Sequence, residues 1–81
     1  MMTIDMSLDV KGLNCPLPML KAKKTLATMQ GGQTLEVWAT DKNVCDDFKA
    51  FCHHTGHQLL MCEQPDANEV TFRILVKRKD D

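Results

Sequence analysis

The chain has 81 residues, 43% hydrophobic and 26% charged, and its 10 basic and 11 acidic residues leave a formal net charge of -1. That length holds a single domain over residues 1–81, and the composition excludes wholesale disorder. The near-neutral charge argues against direct nucleic-acid binding. No apolar run reaches the roughly 20 residues of a membrane span, and so short a chain suits a carrier, adaptor or subunit better than an enzyme with a deep pocket.

Met6, Leu8 and Val10 alternate with Ser7, Asp9 and Lys11, the pattern of a strand with one buried face. Gly12-Leu13-Asn14 interrupts it. From Pro16 to about Gln30 the period becomes helical, with Met19, Ala22, Leu26 and Met29 on one stripe and Lys21, Lys23 and Lys24 outside it. Gly31-Gly32 supplies a stop and a turn. Leu35, Val37 and Ala39 then alternate with Glu36, Trp38 and Thr40 as a second strand. Asp41 or Asn43 can cap a second helix, whose stripe is Val44, Phe48, Phe51, Cys52 and Thr55 and whose end is Gly56. Leu59 to Glu63 reads as a third strand and residues 64–68 as a turn. In the fourth strand Val70, Phe72, Ile74 and Val76 form the apolar face, with Thr71, Arg73, Leu75 and Lys77 opposite. The order is βαβαββ. Two amphipathic helices cover one face of a four-stranded mixed sheet, an α/β two-layer sandwich.

Four cysteines are present: Cys15, Cys45, Cys52 and Cys62. The N-terminus lacks a positive region followed by an apolar stretch, so no signal peptide is expected. The protein is then cytoplasmic and its thiols are reduced. Cys52 and Cys62 fall on apolar positions and read as core, whereas Cys45 flanks the stripe of its helix. A Cys45–Cys52 disulfide would need that helix to break. Cys15 stands apart. It lies in Gly12-Leu13-Asn14-Cys15-Pro16-Leu17-Pro18, between the first strand and the first helix, on the rim where open α/β sheets place their chemistry. Proline is favoured at the first helical position, which makes Cys15 the N-cap, or places it within a turn of the helix start. The positive end of the helix is expected to lower the thiol pKa. No histidine or acid lies close in sequence to act as a base. Such a sulfur suits accepting and handing on a group more than independent turnover.

Leu8-Asp9, Gly12-Leu13, Cys15-Pro16, Pro18, Lys23-Lys24 and Leu26, continued by Gly32, Leu35, Asp41, Phe51-Cys52, Gly56-His57 and Leu59, resemble the TusA (SirA-like) sulfur-carrier family over nearly the whole chain. The resemblance implies the same βαβαββ sandwich. It also implies that Cys15 carries sulfane sulfur as a persulfide, loaded by a cysteine desulfurase or rhodanese-type donor and passed to a sulfur-relay acceptor. Family destinations are tRNA 2-thiouridine formation, molybdenum cofactor assembly and sulfur oxidation. Gly12, Pro16 and Pro18 would support the site. Lys21 and Lys24, with Lys23, read either as a solvated face or as a docking surface for an acidic partner. Where the family often has Asp-Pro and Ile-Pro around the second helix, this chain has Asp41-Lys42 and Phe48-Lys49.

No cofactor or metal is expected. His53 and His57 are one helical turn apart, but no second ligand pair matches them. The alternatives are a thiol-based redox or regulatory module built on Cys15, with Cys45 as a candidate partner, and an RNA-binding module using the open sheet face. Trp38 is the lone aromatic on that face.

Overall fold

The computed structural model describes residues 3–80. The element order is β1 (Met6–Asp9), α1 (Leu17–Ala27), β2 (Thr34–Ala39), α2 (Val44–Thr55), β3 (Gln58–Glu63) and β4 (Phe72–Lys77). The strands lie in the order β1-β2-β4-β3, with β1 parallel to β2 and β4 antiparallel to both of its neighbours. This is the expected βαβαββ mixed sheet with two helices.

Pairing explains which residues meet. Leu8 stands opposite Val37, Val37 opposite Ile74, and Leu35 opposite Val76, all on the helix-covered face. They pack with Ala22 and Leu26 from α1, Met29 just beyond it, and Val44, Phe48 and Cys52 from α2, in a core from which water is excluded. Val10 lies just past β1, but its N–H still donates to the Trp38 carbonyl at 2.8 Å, and its side chain is buried.

The other sheet face is less polar than the alternation suggests. Leu75 pairs with Glu36 and Met61 on that face and is only 2% exposed. As an inner strand, β4 is flanked on both sides, so its successive residues Ile74, Leu75 and Val76 are all buried. Beside them, Glu36 accepts hydrogen bonds from Ser7 Oγ (3.0 Å), Trp38 Nε1 (2.9 Å) and Arg73 Nε (2.7 Å). The Arg73 guanidinium lies 5.8 Å from the Trp38 ring centroid. Burial would raise the Glu36 pKa, but these three hydrogen bonds and the Arg73 charge outweigh it and hold the carboxyl below its ordinary value.

α1 is shorter than its periodicity. It ends at Ala27, because Thr28 closes the last turn with a tight bond from its N–H to the Thr25 carbonyl and another from its hydroxyl to the same oxygen. The chain reverses later, at Gly32, whose φ of +86° a side chain would rarely adopt. Gly56 ends α2 as expected, with φ +87° and its N–H donating to the Cys52 carbonyl at 2.9 Å.

The expectation of four reduced thiols is corrected. Cys45 and Cys62 form a disulfide across 17 residues, their Cα atoms 5.9 Å apart. Cys62 pairs with Ile74 and so faces the helices, where the first turn of α2 presents Cys45. Spacing along the chain does not reveal that meeting. Cys52 is free and 6% exposed in the core, as expected, and burial pushes its thiol pKa up.

Candidate functional site

β1 and β2 are parallel neighbours, so their carboxyl ends lie at the same edge of the sheet. The loop leaving β1 carries Cys15 and the loop leaving β2 carries Asp41, followed by the N-terminus of α2. Topology therefore brings together two segments that are far apart in sequence, the Cys15 loop and the stretch running from Asp41 into α2.

Two contacts tie the loops to one another. Gly12, with φ +84°, donates its N–H to Thr40 Oγ1 at 2.8 Å. An added Cβ at Gly12 would meet nothing within 4 Å, so the backbone angle alone calls for glycine there. The Cys15 N–H donates to Asp41 Oδ2 at 2.7 Å, while Asp41 Oδ1 accepts the Asn43 N–H at 2.9 Å. The Asn43 side chain makes no capping bond, although Asn43 occupies the N-cap position of α2. One carboxylate thus joins the Cys15 loop to the entry of the second helix.

Cys15 is not the N-cap of α1. That position is Pro16, which follows a cis Cys15–Pro16 peptide, and its carbonyl accepts the first helical bond from the Leu20 N–H at 3.0 Å. Leu17 is helical despite preceding Pro18, and Pro18 is buried in the first turn. The thiol of Cys15 is exposed and free. It lies in a cleft of about 440 Å³ lined by Asn14, Thr40, Asp41, Lys42, Asn43 and Val70.

The expected lowering of the thiol pKa is also corrected. The Cys15 pKa is raised, first by interaction of the thiol with the Asp47 carboxylate, then by desolvation, then by the negative charges of Asp47 and Asp41. The helix end is weak here because Pro16 and Pro18 contribute no N–H. Asp47 is the residue that sequence reading missed. It lies 32 positions beyond Cys15, in the first turn of α2, and no short-range pattern links the two.

The Cys15 sulfur and one oxygen each of Asp41 and Asp47 lie within 4.8 Å of one another, the group of metal-ligand type found among the described residues. One sulfur with two carboxylates and no histidine is not a zinc donor set of the usual kind, and the hydrogen bonds above already engage it. The histidines lie elsewhere. His53 and His54 contact each other, while His57 packs on Phe51 at 5.7 Å and its Nδ1 accepts the Lys79 N–H at 3.0 Å.

Lys21 and Lys24 are exposed on α1. With the exposed Leu17 and Leu20 they follow helical spacing along one stripe leading away from the Cys15 cleft. Lys23 does not belong with them. It borders a separate groove with Phe51, Thr55, His57, Arg78 and Lys79.

The βαβαββ sandwich has counterparts among known proteins. The family model described as Sulfurtransferase TusA matches residues 6–78. The chain belongs to the TusA family. A putative sulfur carrier protein of Neisseria meningitidis serogroup A is 51% identical over 73 residues, covering 90% of this chain and 95% of that protein. The sulfur carrier protein TusA of Allochromatium vinosum is 45% identical over 78 residues, covering 96% and 99%. A crystal structure of a SirA-like protein from Desulfitobacterium hafniense superposes with a TM-score of 0.78 over 93% of this chain and 99% of that one. At 20% identity, that last likeness concerns the TusA fold alone. Among the described residues no helix is long and apolar enough to cross a membrane.

Proposed function

We propose that the protein, as one sulfur-carrier domain, accepts sulfane sulfur as a persulfide on Cys15 and relays it to an acceptor protein. The observation that carries this reading is the state of the cysteines. Cys45 and Cys62 are joined and Cys52 is buried, which leaves Cys15 as the accessible thiol. Membership of the TusA family and relatives named as sulfur carriers support it. In loading, the Cys15 sulfur attacks the outer sulfur of a donor persulfide. The donor's S–S bond breaks, a Cys15 S–S bond forms, and the donor's inner sulfur leaves as a thiol carrying the proton that Cys15 gives up. Hand-on repeats the exchange with Cys15 as donor. Neither step needs an external oxidant.

The donor is a cysteine desulfurase or rhodanese-type enzyme and the acceptor a sulfur-relay or biosynthetic protein, with tRNA thiolation, molybdenum cofactor assembly and sulfur oxidation as the candidate destinations. Exposed Leu17, Leu20 and Val70 supply apolar contact near the thiol, and Lys21 and Lys24 supply charge for an acidic partner. A redox sensor that pairs Cys15 with Cys45 fits less well, because Cys45 is already joined to Cys62 and Cys52 is buried, which leaves Cys15 no resolving thiol. On the open sheet face Trp38 is already engaged by Glu36 and Arg73, which removes the best base-stacking surface from an RNA-binding reading.

Intact mass after incubation with a desulfurase and cysteine tests the proposal. Loading adds about 32 mass units, against about 16 for a sulfenic acid. Cys15→Ser is expected to abolish the addition and Cys52→Ser to retain it. Equal loading of Cys15→Ser and native protein would overturn the assignment.

A further inference from the structure

The contact between Cys15 and Asp47 looks unhelpful for a thiol that must act as a nucleophile. Both carboxylates of the cluster, each with an oxygen within 4.8 Å of the sulfur, oppose a negative charge on it. The groups around the sulfur are Asp41 from the loop after β2, Asp47 from α2, and Lys42 in the lining of the same cleft. From α1 no acid enters the first turn, and Lys11, on the loop before Cys15, lies 3.9 Å from Asp9.

Building on the carrier reading above, we propose that Asp47 is a positioning residue that holds the empty Cys15 thiol protonated and inert, and that a partner loading it must bring a cationic group to this carboxylate. The chemistry follows from the geometry. While the carboxylate is free, its charge keeps the proton on the thiol, and stray disulfides and oxidants meet little thiolate. A cation from the partner competes for the carboxylate and cancels its field, and the thiolate forms within the docked complex. Once the sulfur is loaded, Cys15 Sγ is bonded to the outer sulfur and has no proton to donate. The persulfide, more acidic than the thiol it came from, places its negative charge beside Asp47 and Asp41, and this repulsion favours hand-on. One carboxylate thus guards the empty carrier and destabilises the loaded one.

The pH profile of alkylation by iodoacetamide, a neutral reagent, tests this on the full chain with its disulfide intact. Asp47→Asn keeps the side-chain size while removing the charge. It is expected to move the profile to lower pH and to raise the rate at pH 7 about fivefold, the scale of removing one nearby charge at a solvated site. Asp46→Asn removes the same charge one residue away and is expected to leave the profile in place. Asp47→Glu, which restores the charge, is expected to return the rate towards the native value and guards against a folding defect in the first variant. Coincident profiles for native and Asp47→Asn protein, or an equal shift in Asp46→Asn, would overturn the proposal. The partner half is read from disulfide exchange. Cystamine, a dication, is expected to react faster than neutral hydroxyethyl disulfide with native protein, and the ratio to fall towards one in Asp47→Asn. An unchanged ratio would refute the need for a cation. These readouts concern the thiol alone, so they are distinguishable from failure of the carrier reading, which appears as absent sulfur loading.

Discussion

Asp41→Ala removes the connection between the Cys15 loop and α2, and its cost can be worked from two bonds. Asp41 Oδ2 accepts the Cys15 N–H at 2.7 Å and Oδ1 accepts the Asn43 N–H at 2.9 Å. Hydrogen bonds to charged groups contribute about 1.5–3 kcal/mol each when well buried; these are accessible to water, so about 1 kcal/mol each is the appropriate scale. The sum, about 2 kcal/mol, corresponds to a fall in Tm of about 8–16 °C for a domain of this size. Asp41→Asn keeps one acceptor oxygen and is expected to lose about half as much. Thermal unfolding by circular dichroism gives the stability. Amide hydrogen exchange at Cys15 and Asn43 shows whether the loss is local to the two donors. Sulfur loading of Asp41→Ala is expected to slow, because an untethered loop must be ordered at each encounter. A Tm within about 2 °C of native, with unchanged protection at the Cys15 amide, would refute the reasoning and mean that the loop is held by its other contacts, chiefly Gly12 to Thr40.

The His57 pKa is depressed by burial and by the charges of Lys79 and Arg78, from an ordinary value of 6.5. Its contribution to stability is therefore complete above about pH 6.5 and is lost as pH falls from there through the folded-state value, since only the unfolded chain takes up the proton readily. His57→Gln is expected to flatten this part of the profile, read as the urea midpoint at pH 8 against pH 5.5, and an equal drop in both proteins would contradict it. Lys21→Glu combined with Lys24→Glu is expected to slow sulfur transfer from a purified donor about threefold or more at low ionic strength. The difference should close at high salt, with Cys15 alkylation unchanged; equal transfer rates at low salt would mean the two lysines are only a solvated face.

The fold was legible because its signals are local. Period-2 alternation in residues 6–10 and 35–39, the stripe from Met19 to Met29 (whose last turn the helix does not reach), the stripe from Val44 to Thr55 and the stop at Gly56 each arise within a few residues, and hydrophobic burial enforces them. Cys15 was legible for a related reason, since a strand, a short loop and a proline-marked helix start all lie within one stretch. Burial of Leu75 was not, because it depends on β4 lying between β2 and β3, a matter of strand order. The Cys45–Cys62 bond was not, because it needs α2 to cross over β3 in one register. The sign of the thiol shift was not, because the helix end is a property of adjacent residues whereas Asp41 and Asp47 arrive from a neighbouring strand's loop and from another helix. Local pattern was enough for the elements, the helix-covered face and the cysteine on the rim. The environment of that cysteine came from the folded chain, since electrostatic and hydrogen-bond partners are set by distance in space, and parallel pairing of β1 with β2 brings those distances into being.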